Sequence, residues 1–206
     1  MTLGNKLSKL RKQNNYTQEQ LAEILGVSRQ AIDTLVYESP IGSCLLAADS
    51  KGLIGLWLEG QKYYCPVTEE MKENGQNRIL KDTKSWLDCY FKGQKPKPDG
   101  LPLAPRGSGF RQEVWKLLCE IPYGEVMTYG EIAKIVAANR GKTTNYAQAV
   151  GGAVAHNPIS VIIPCHRVVG SDQSLTGYAG GLDKKKWLLK HEGYRLCEIY
   201  YQKCKI

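Results

Sequence analysis

Long hydrophobic runs are missing from this 206-residue chain: no apolar stretch approaches the length that a membrane-crossing helix requires. The first ten residues, MTLGNKLSKL, lack the apolar stretch and small-residue cleavage site of a signal peptide, so the expectation is a cytoplasmic protein without a membrane partner. Paired cysteines are missing as well. Cys44, Cys65, Cys89, Cys119, Cys165, Cys197 and Cys204 are an odd number and form no CxxC pair, which argues against a disulfide framework or a cysteine zinc cluster. Histidine is scarce, and His156, His166 and His191 all lie in the second half. There is no internal repeat and no low-complexity tract.

What is present is an ordinary globular composition, 42% hydrophobic and 23% charged, with a net charge of +8. A basic balance favours polyanionic partners, nucleic acid among them, although solvated lysines alone produce the same count.

Helical spacing opens the chain. Leu3, Leu7 and Leu10 share a face, Thr17 and Gln20 form a capping-box pattern, Gly26 stops that helix and Ser28 caps another. LRKQNNYTQEQLAEILGVSRQAI resembles the helix-turn-helix of phage-repressor-like regulators, which implies a recognition helix from Ser28 to Leu35. The unit is short, and it reads equally as a helical appendage packed on the rest of the protein. Two apolar runs, Cys44 to Ala48 and Leu53 to Leu58, flank the turn formers Asp49 to Gly52 and predict a β-hairpin. Residues 76–92 have helical spacing and end at Gly93, and the proline-rich GQKPKPDGLPLAP reads as a linker. These signals divide the chain into a helix-turn-helix extension (1–35), an α/β domain with its linker (36–105) and a second domain (106–206).

In that last part, helices are expected around Phe110 to Ile121, Tyr129 to Ala137 (opened by a Thr128–Glu131 capping box) and Asn145 to Ala155. The last contains Gly151 and Gly152, each costing about 0.5–1 kcal/mol relative to alanine in a helix. Such a small-residue face suits close packing against another backbone or entry into a DNA groove. Ile159 to Ile163 reads as a buried strand, followed at once by Pro164, Cys165, His166 and Arg167. A thiol flanked by histidine and arginine reads either as an inert buried cysteine beside a packed histidine or as one placed for ionisation and nucleophilic attack.

ISVIIPCHRVVG, with AVGGAVAHNP before it and TGYAGG and WLLKHEG after it, resembles the DNA alkylguanine transferases, the methylated-DNA–protein-cysteine methyltransferases. YESPIGSCLLAADSKGLIGLWL is similar to the start of that family's N-terminal domain. The resemblance implies an α+β fold: a ribonuclease-H-like sheet domain, then a winged-helix-like helix-turn-helix domain. It implies a single, irreversible transfer of an alkyl group from the 6-oxygen of guanine in double-stranded DNA to Cys165, by a monomer, without cofactor. Glu192 would hold His166, which would take the thiol proton through a water; Asn157 would brace the cysteine loop. Tyr129 would donate a hydrogen bond to guanine, while Arg167, Val168, Tyr178 and Ala179 would bind DNA or the flipped base. Gly151 and Gly152 would meet the DNA groove. Gln148 stands where the family has an arginine wedge, and Arg140 or Lys142 is the candidate for phosphate contacts. Some relatives hold zinc through N-terminal histidines; this chain has none there, so no bound metal is expected. A lesion sensor or transcription regulator that binds DNA without transfer is the alternative.

Overall fold

The computed structural model describes residues 32–64, 71–143 and 145–195. All of them fall in one compact unit. Residues 1–31, and with them most of the expected leading helix-turn-helix, lie outside the described residues. Its expected last turn does not: Ile32–Ser39 is a strand, β1, so the reading of a recognition helix reaching Leu35 is corrected. Alternate residues of IDTLV are β-branched or apolar, and Ile32 and Thr34 turn inward, a period of two that a strand satisfies.

The expected hairpin is present as β2 (Gly42–Asp49) and β3 (Gly52–Leu58), paired antiparallel. With β4 (Met71–Glu73) they form a sheet in the order β3-β2-β1-β4, β4 running parallel to β1. Every residue of β3 is buried, although β3 ends the sheet. Its outer edge is covered by two later segments. Leu53 donates to the carbonyl of Pro102 (2.7 Å) and accepts from Ala104 (2.8 Å), while Leu56 donates to Pro158 (2.8 Å) and accepts from Ser160 (2.9 Å). The proline-rich segment is therefore laid along an edge strand rather than free, consistent with proline's confinement to such positions. Gly52 makes this possible, because a Cβ there would sit 2.1 Å from the Pro102 oxygen.

Helix α1 (Arg78–Phe91) packs Leu80, Thr83, Leu87 and Tyr90 inward at helical spacing. Asn77 caps it by accepting from Ile79 and Leu80, and ties it to β1 through Asp33 (2.7 Å). The second half is helical: α2 (Gly109–Cys119), α3 (Tyr129–Asn139), α4 (Ala147–Ala155) and α5 (Leu182–His191), with a two-stranded pair of β5 (Met127–Thr128) and β6 (Val168–Val169). The Thr128–Glu131 capping box forms as expected. One core cluster joins β2, β3 and α1 to α2–α5. The region 159–163 is not a strand. After a single bridge between Leu56 and Ile159 it turns tightly, with Val161 at φ +70°. A β-branched residue in that region costs about 1–3 kcal/mol, so the surroundings must impose it.

Candidate active site

The tight turn at Val161 sets up the cysteine. It is held by the Ile163 amide donating to Ile159 (3.0 Å) and by Asn157, which accepts from the Ile159 amide (3.0 Å) and donates to the Ile163 carbonyl (2.8 Å). The same Asn157 amide lies 3.0 Å from Cys165 Sγ. Cys165 begins a 3₁₀ turn, Cys165–Arg167, that feeds β6, and only 4% of it is exposed. Burial pushes its thiol up, and the Asn157 hydrogen bond and the charge of Lys185 oppose this. Unaided, the sulfur would stay protonated at neutral pH; it needs a base.

A candidate is the next residue in the chain. His166 is wholly buried and its Nε2 lies 2.8 Å from Glu192 Oε1. Burial lowers its basicity, partly offset by Glu192. A neutral imidazole facing a carboxylate must carry its proton on Nε2, which leaves Nδ1 as an acceptor. Among the described residues Nδ1 has no hydrogen-bond partner. Glu192 is the C-cap of α5, the negative end of the helix dipole, where a carboxylate is disfavoured unless cations compensate. Burial acts to raise it, but His166 and Arg167 outweigh that and hold it well below the usual carboxylate range. Arg167 grips both oxygens (Nε to Oε2 2.8 Å, Nη2 to Oε1 3.0 Å) and donates to the Ile121 carbonyl (2.6 Å). Gly124, at φ +80°, donates its amide to Oε2 (3.2 Å), and a Cβ there would meet the Glu192 backbone oxygen at 2.8 Å.

Arg167 therefore points into the protein. It is buried and spent on Glu192, which corrects both its placement among DNA-contacting residues and the expectation that it acts directly on the thiol. Arg140 is likewise engaged, by Glu113 (2.6 Å) and over the Phe110 ring, leaving exposed Lys142 as the cation of that loop open to phosphate. The Val168 carbonyl already accepts from Lys185 Nζ (2.5 Å), and Val168 is buried away from the cavity described next.

An open cavity of about 480 Å³ lies between α4, the 176–179 loop and the segment after β3. Tyr129, Gly151, Tyr178 and Ala179 line it, bringing together three residues expected at the base and one expected at the DNA groove, with Lys62 and Tyr63 added from the sheet half. Burial pushes the Tyr129 phenol up to about 12, helped by Cys165 and opposed by the Thr176 hydroxyl, so it remains a donor; its hydroxyl makes a long 3.4 Å bond to the Gly177 carbonyl. The Tyr178 hydroxyl is buried near Ser160 without a well-directed hydrogen bond. A Cβ on Gly151 or Gly152 would meet nothing within 4 Å, so among the described residues the small-residue face of α4 is open and packs against no other element. Gln148 and Gly152 are exposed on the same helix.

Lys185 escaped sequence reasoning. In a run of three lysines it reads as solvated, yet it is fully buried, donating to Val168 and Thr176 (2.9 Å) beneath the cysteine turn. Burial lowers it to about 8, against the charge of Cys165. The signal was its spacing: Lys185, Leu188 and Leu189 share one face of α5. Among the described residues no group of three His, Cys, Asp or Glu side chains gathers to hold a metal ion, and no helix is long and apolar enough to cross a membrane.

Residues 34–105 match the model of the 6-O-methylguanine DNA methyltransferase ribonuclease-like domain, residues 109–194 that of its DNA binding domain, and residues 7–34 a helix-turn-helix model. A Methanosarcina barkeri methylated-DNA–protein-cysteine methyltransferase is 49% identical over 76% of this chain and 94% of its own length. One from Haemophilus influenzae is 39% identical over 76% of this chain and 83% of its own. The crystal structure of Mycobacterium tuberculosis OGT in complex with DNA is 38% identical and superimposes with a TM-score of 0.65 over 78% of this chain and 91% of that one. With a sheet domain, a helical domain and a buried Cys165–His166–Glu192 constellation in place, the chain belongs to the methylated-DNA–protein-cysteine methyltransferase family.

Proposed function

We propose that this protein repairs DNA by moving the alkyl group of a 6-O-alkylguanine onto Cys165, once per molecule. The observation that carries the reading is the buried His166–Glu192 pair next to the buried Cys165, in which Nε2 is committed to the carboxylate and Nδ1 is left to accept a proton. The thiol proton passes through a bridging water to Nδ1, since the side chains of sequence neighbours diverge, and Glu192 stabilises the imidazolium. The Cys165 sulfur then attacks the alkyl carbon, the carbon–oxygen bond breaks, and its electron pair returns to guanine. Tyr129, a neutral phenol in the cavity wall, donates to a ring nitrogen as charge develops there. The product is a thioether, which has no proton to lose and no leaving group for water, so the site is spent.

The target atom lies inside the duplex, so the nucleotide rotates out into the cavity, at a cost of a few kcal/mol of stacking and pairing. The cavity falls in the size range of small-molecule sites, with Tyr178 and Ala179 against the base. The open Gly151–Gly152 face approaches the groove, and Gln148 enters the stack in place of the extruded base. Every residue of this scheme comes from one chain, so a monomer suffices, and a reducing cytoplasm keeps Cys165 a thiol. Residues 32–105 serve as the scaffold and 106–206 as the DNA-binding and acceptor part.

A sensor that only binds lesions would leave this relay without a task. Duplex DNA carrying a radiolabelled 6-O-methylguanine separates the two. Label is expected to move to the wild-type protein and not to Cys165→Ala; tight binding without transfer by the wild type supports the sensor.

A further inference from the structure

We propose that Tyr90, on α1 in the sheet half of the molecule, is a positioning residue of the relay that limits the proton affinity of His166. The inference rests on the alkyl-transfer reading above. Tyr90 is fully buried, and its hydroxyl donates to Glu192 Oε1 at 2.6 Å. That oxygen is the one that faces His166 Nε2 at 2.8 Å, and Arg167 Nη2 reaches it at 3.0 Å. The ring is fixed by Trp86 stacked at 5.4 Å and by Phe91, Tyr123 and His191 around it, so the hydroxyl has one direction. Burial and the neighbouring carboxylate push its ionisation far above the ordinary phenol range, which leaves it a permanent neutral donor.

Donors on one carboxylate oxygen share its charge, and in a low-dielectric interior each weakens the others. Arg167 and the Gly124 amide already orient Glu192, Arg167 by gripping both oxygens. The separate effect of Tyr90 is on strength: its bond to Oε1 reduces what that oxygen offers the imidazolium. His166 then stays neutral at rest, the form that accepts a proton from the thiol. The groups facing Glu192 are Tyr90, Tyr123, Tyr178, His166, Arg167 and the Gly124 amide; those facing His166 are Glu192, Arg167, Lys185 and its neighbour Cys165. Among them Tyr90 offers a hydroxyl on the carboxylate that can be removed with no change of charge. The Tyr123 hydroxyl reaches the His191 carbonyl instead, at 3.3 Å.

The test follows single-turnover transfer from duplex 6-O-methylguanine against pH in the full chain. Tyr90→Phe is expected to keep the alkaline plateau to within about threefold and to move the acid limb up by about half a pH unit or more. Proton NMR of the imidazole C–H signals, with His166 identified by its loss in His166→Gln, is expected to show the same upward move. Tyr123→Phe is expected to change neither. A 3-fluorotyrosine at position 90, a stronger donor, is expected to shift both the other way, and it decides the matter if Tyr90→Phe does not fold. Equal loss of rate at every pH, an unmoved His166 titration, or the same shift in Tyr123→Phe overturns the proposal. Absence of transfer by the wild type overturns the alkyl-transfer reading instead, while the NMR comparison still decides the role of Tyr90.

Discussion

At the residue scale, the site resolves an electrostatic conflict: a carboxylate sits at the negative end of α5, buried, beside a histidine that burial keeps neutral. Arg167 resolves it, and removing a partner from a buried cluster of this kind costs about 3–5 kcal/mol. Arg167→Met should therefore lower the midpoint of urea unfolding sharply as well as slow transfer. The pH dependence has a definite sign. The folded Glu192 carboxyl lies below its unfolded value, so its stabilising contribution is complete above the ordinary carboxylate pKa, about 4.3, and is lost as pH falls through the folded value. Thermal melts between about pH 3 and 6 should show this loss, and Glu192→Gln, destabilised throughout, should show a flatter profile. Equal slopes in the two proteins would contradict the account. Most of this cluster was legible in the sequence because Cys165, His166 and Glu192 stand in a distinctive motif. Arg167 was misjudged because adjacency to a cysteine says nothing about which way a side chain points. Tyr90 and Lys185 were missed because their partners lie 102 and 17 residues away.

At the scale of elements, α4 shows stability yielding to function. Two glycines inside a nine-residue helix weaken it, and open space surrounds both. Gly151→Ala is expected to raise stability by about 0.5–1 kcal/mol in thermal melts while weakening duplex binding, since the added methyl projects from the face offered to DNA. Improved stability with unchanged affinity would remove α4 from the interface. Gln148→Ala, by contrast, should leave stability nearly unchanged and slow repair on duplex DNA. Periodicity and capping residues made α1 to α4 and the β2–β3 hairpin readable. The strand expected at 159–163 failed because a short apolar run does not distinguish a strand from a buried turn. Strand β1 was hidden by helix-forming residues just before it, and its identity depends on pairing with β2, a contact that local spacing does not reveal.

At the scale of the molecule, the two halves meet through β3. Its outer edge holds both the proline-rich segment and the turn that leads into the cysteine loop, and Tyr90 reaches Glu192 from the sheet side. The sheet half is thus part of the machinery that positions the thiol. The net charge of +8 adds a nonspecific attraction, so affinity for undamaged duplex is expected to fall at least about tenfold between roughly 50 and 200 mM salt, read by fluorescence anisotropy. The central claim concerns a single atom. Purified protein mixed with excess duplex carrying 6-O-methylguanine, then weighed intact and as peptides, should gain about 14 Da once per chain, on Cys165, the exchange of one hydrogen for one methyl. An unchanged mass with the lesion intact, or a gain on another residue, would contradict it.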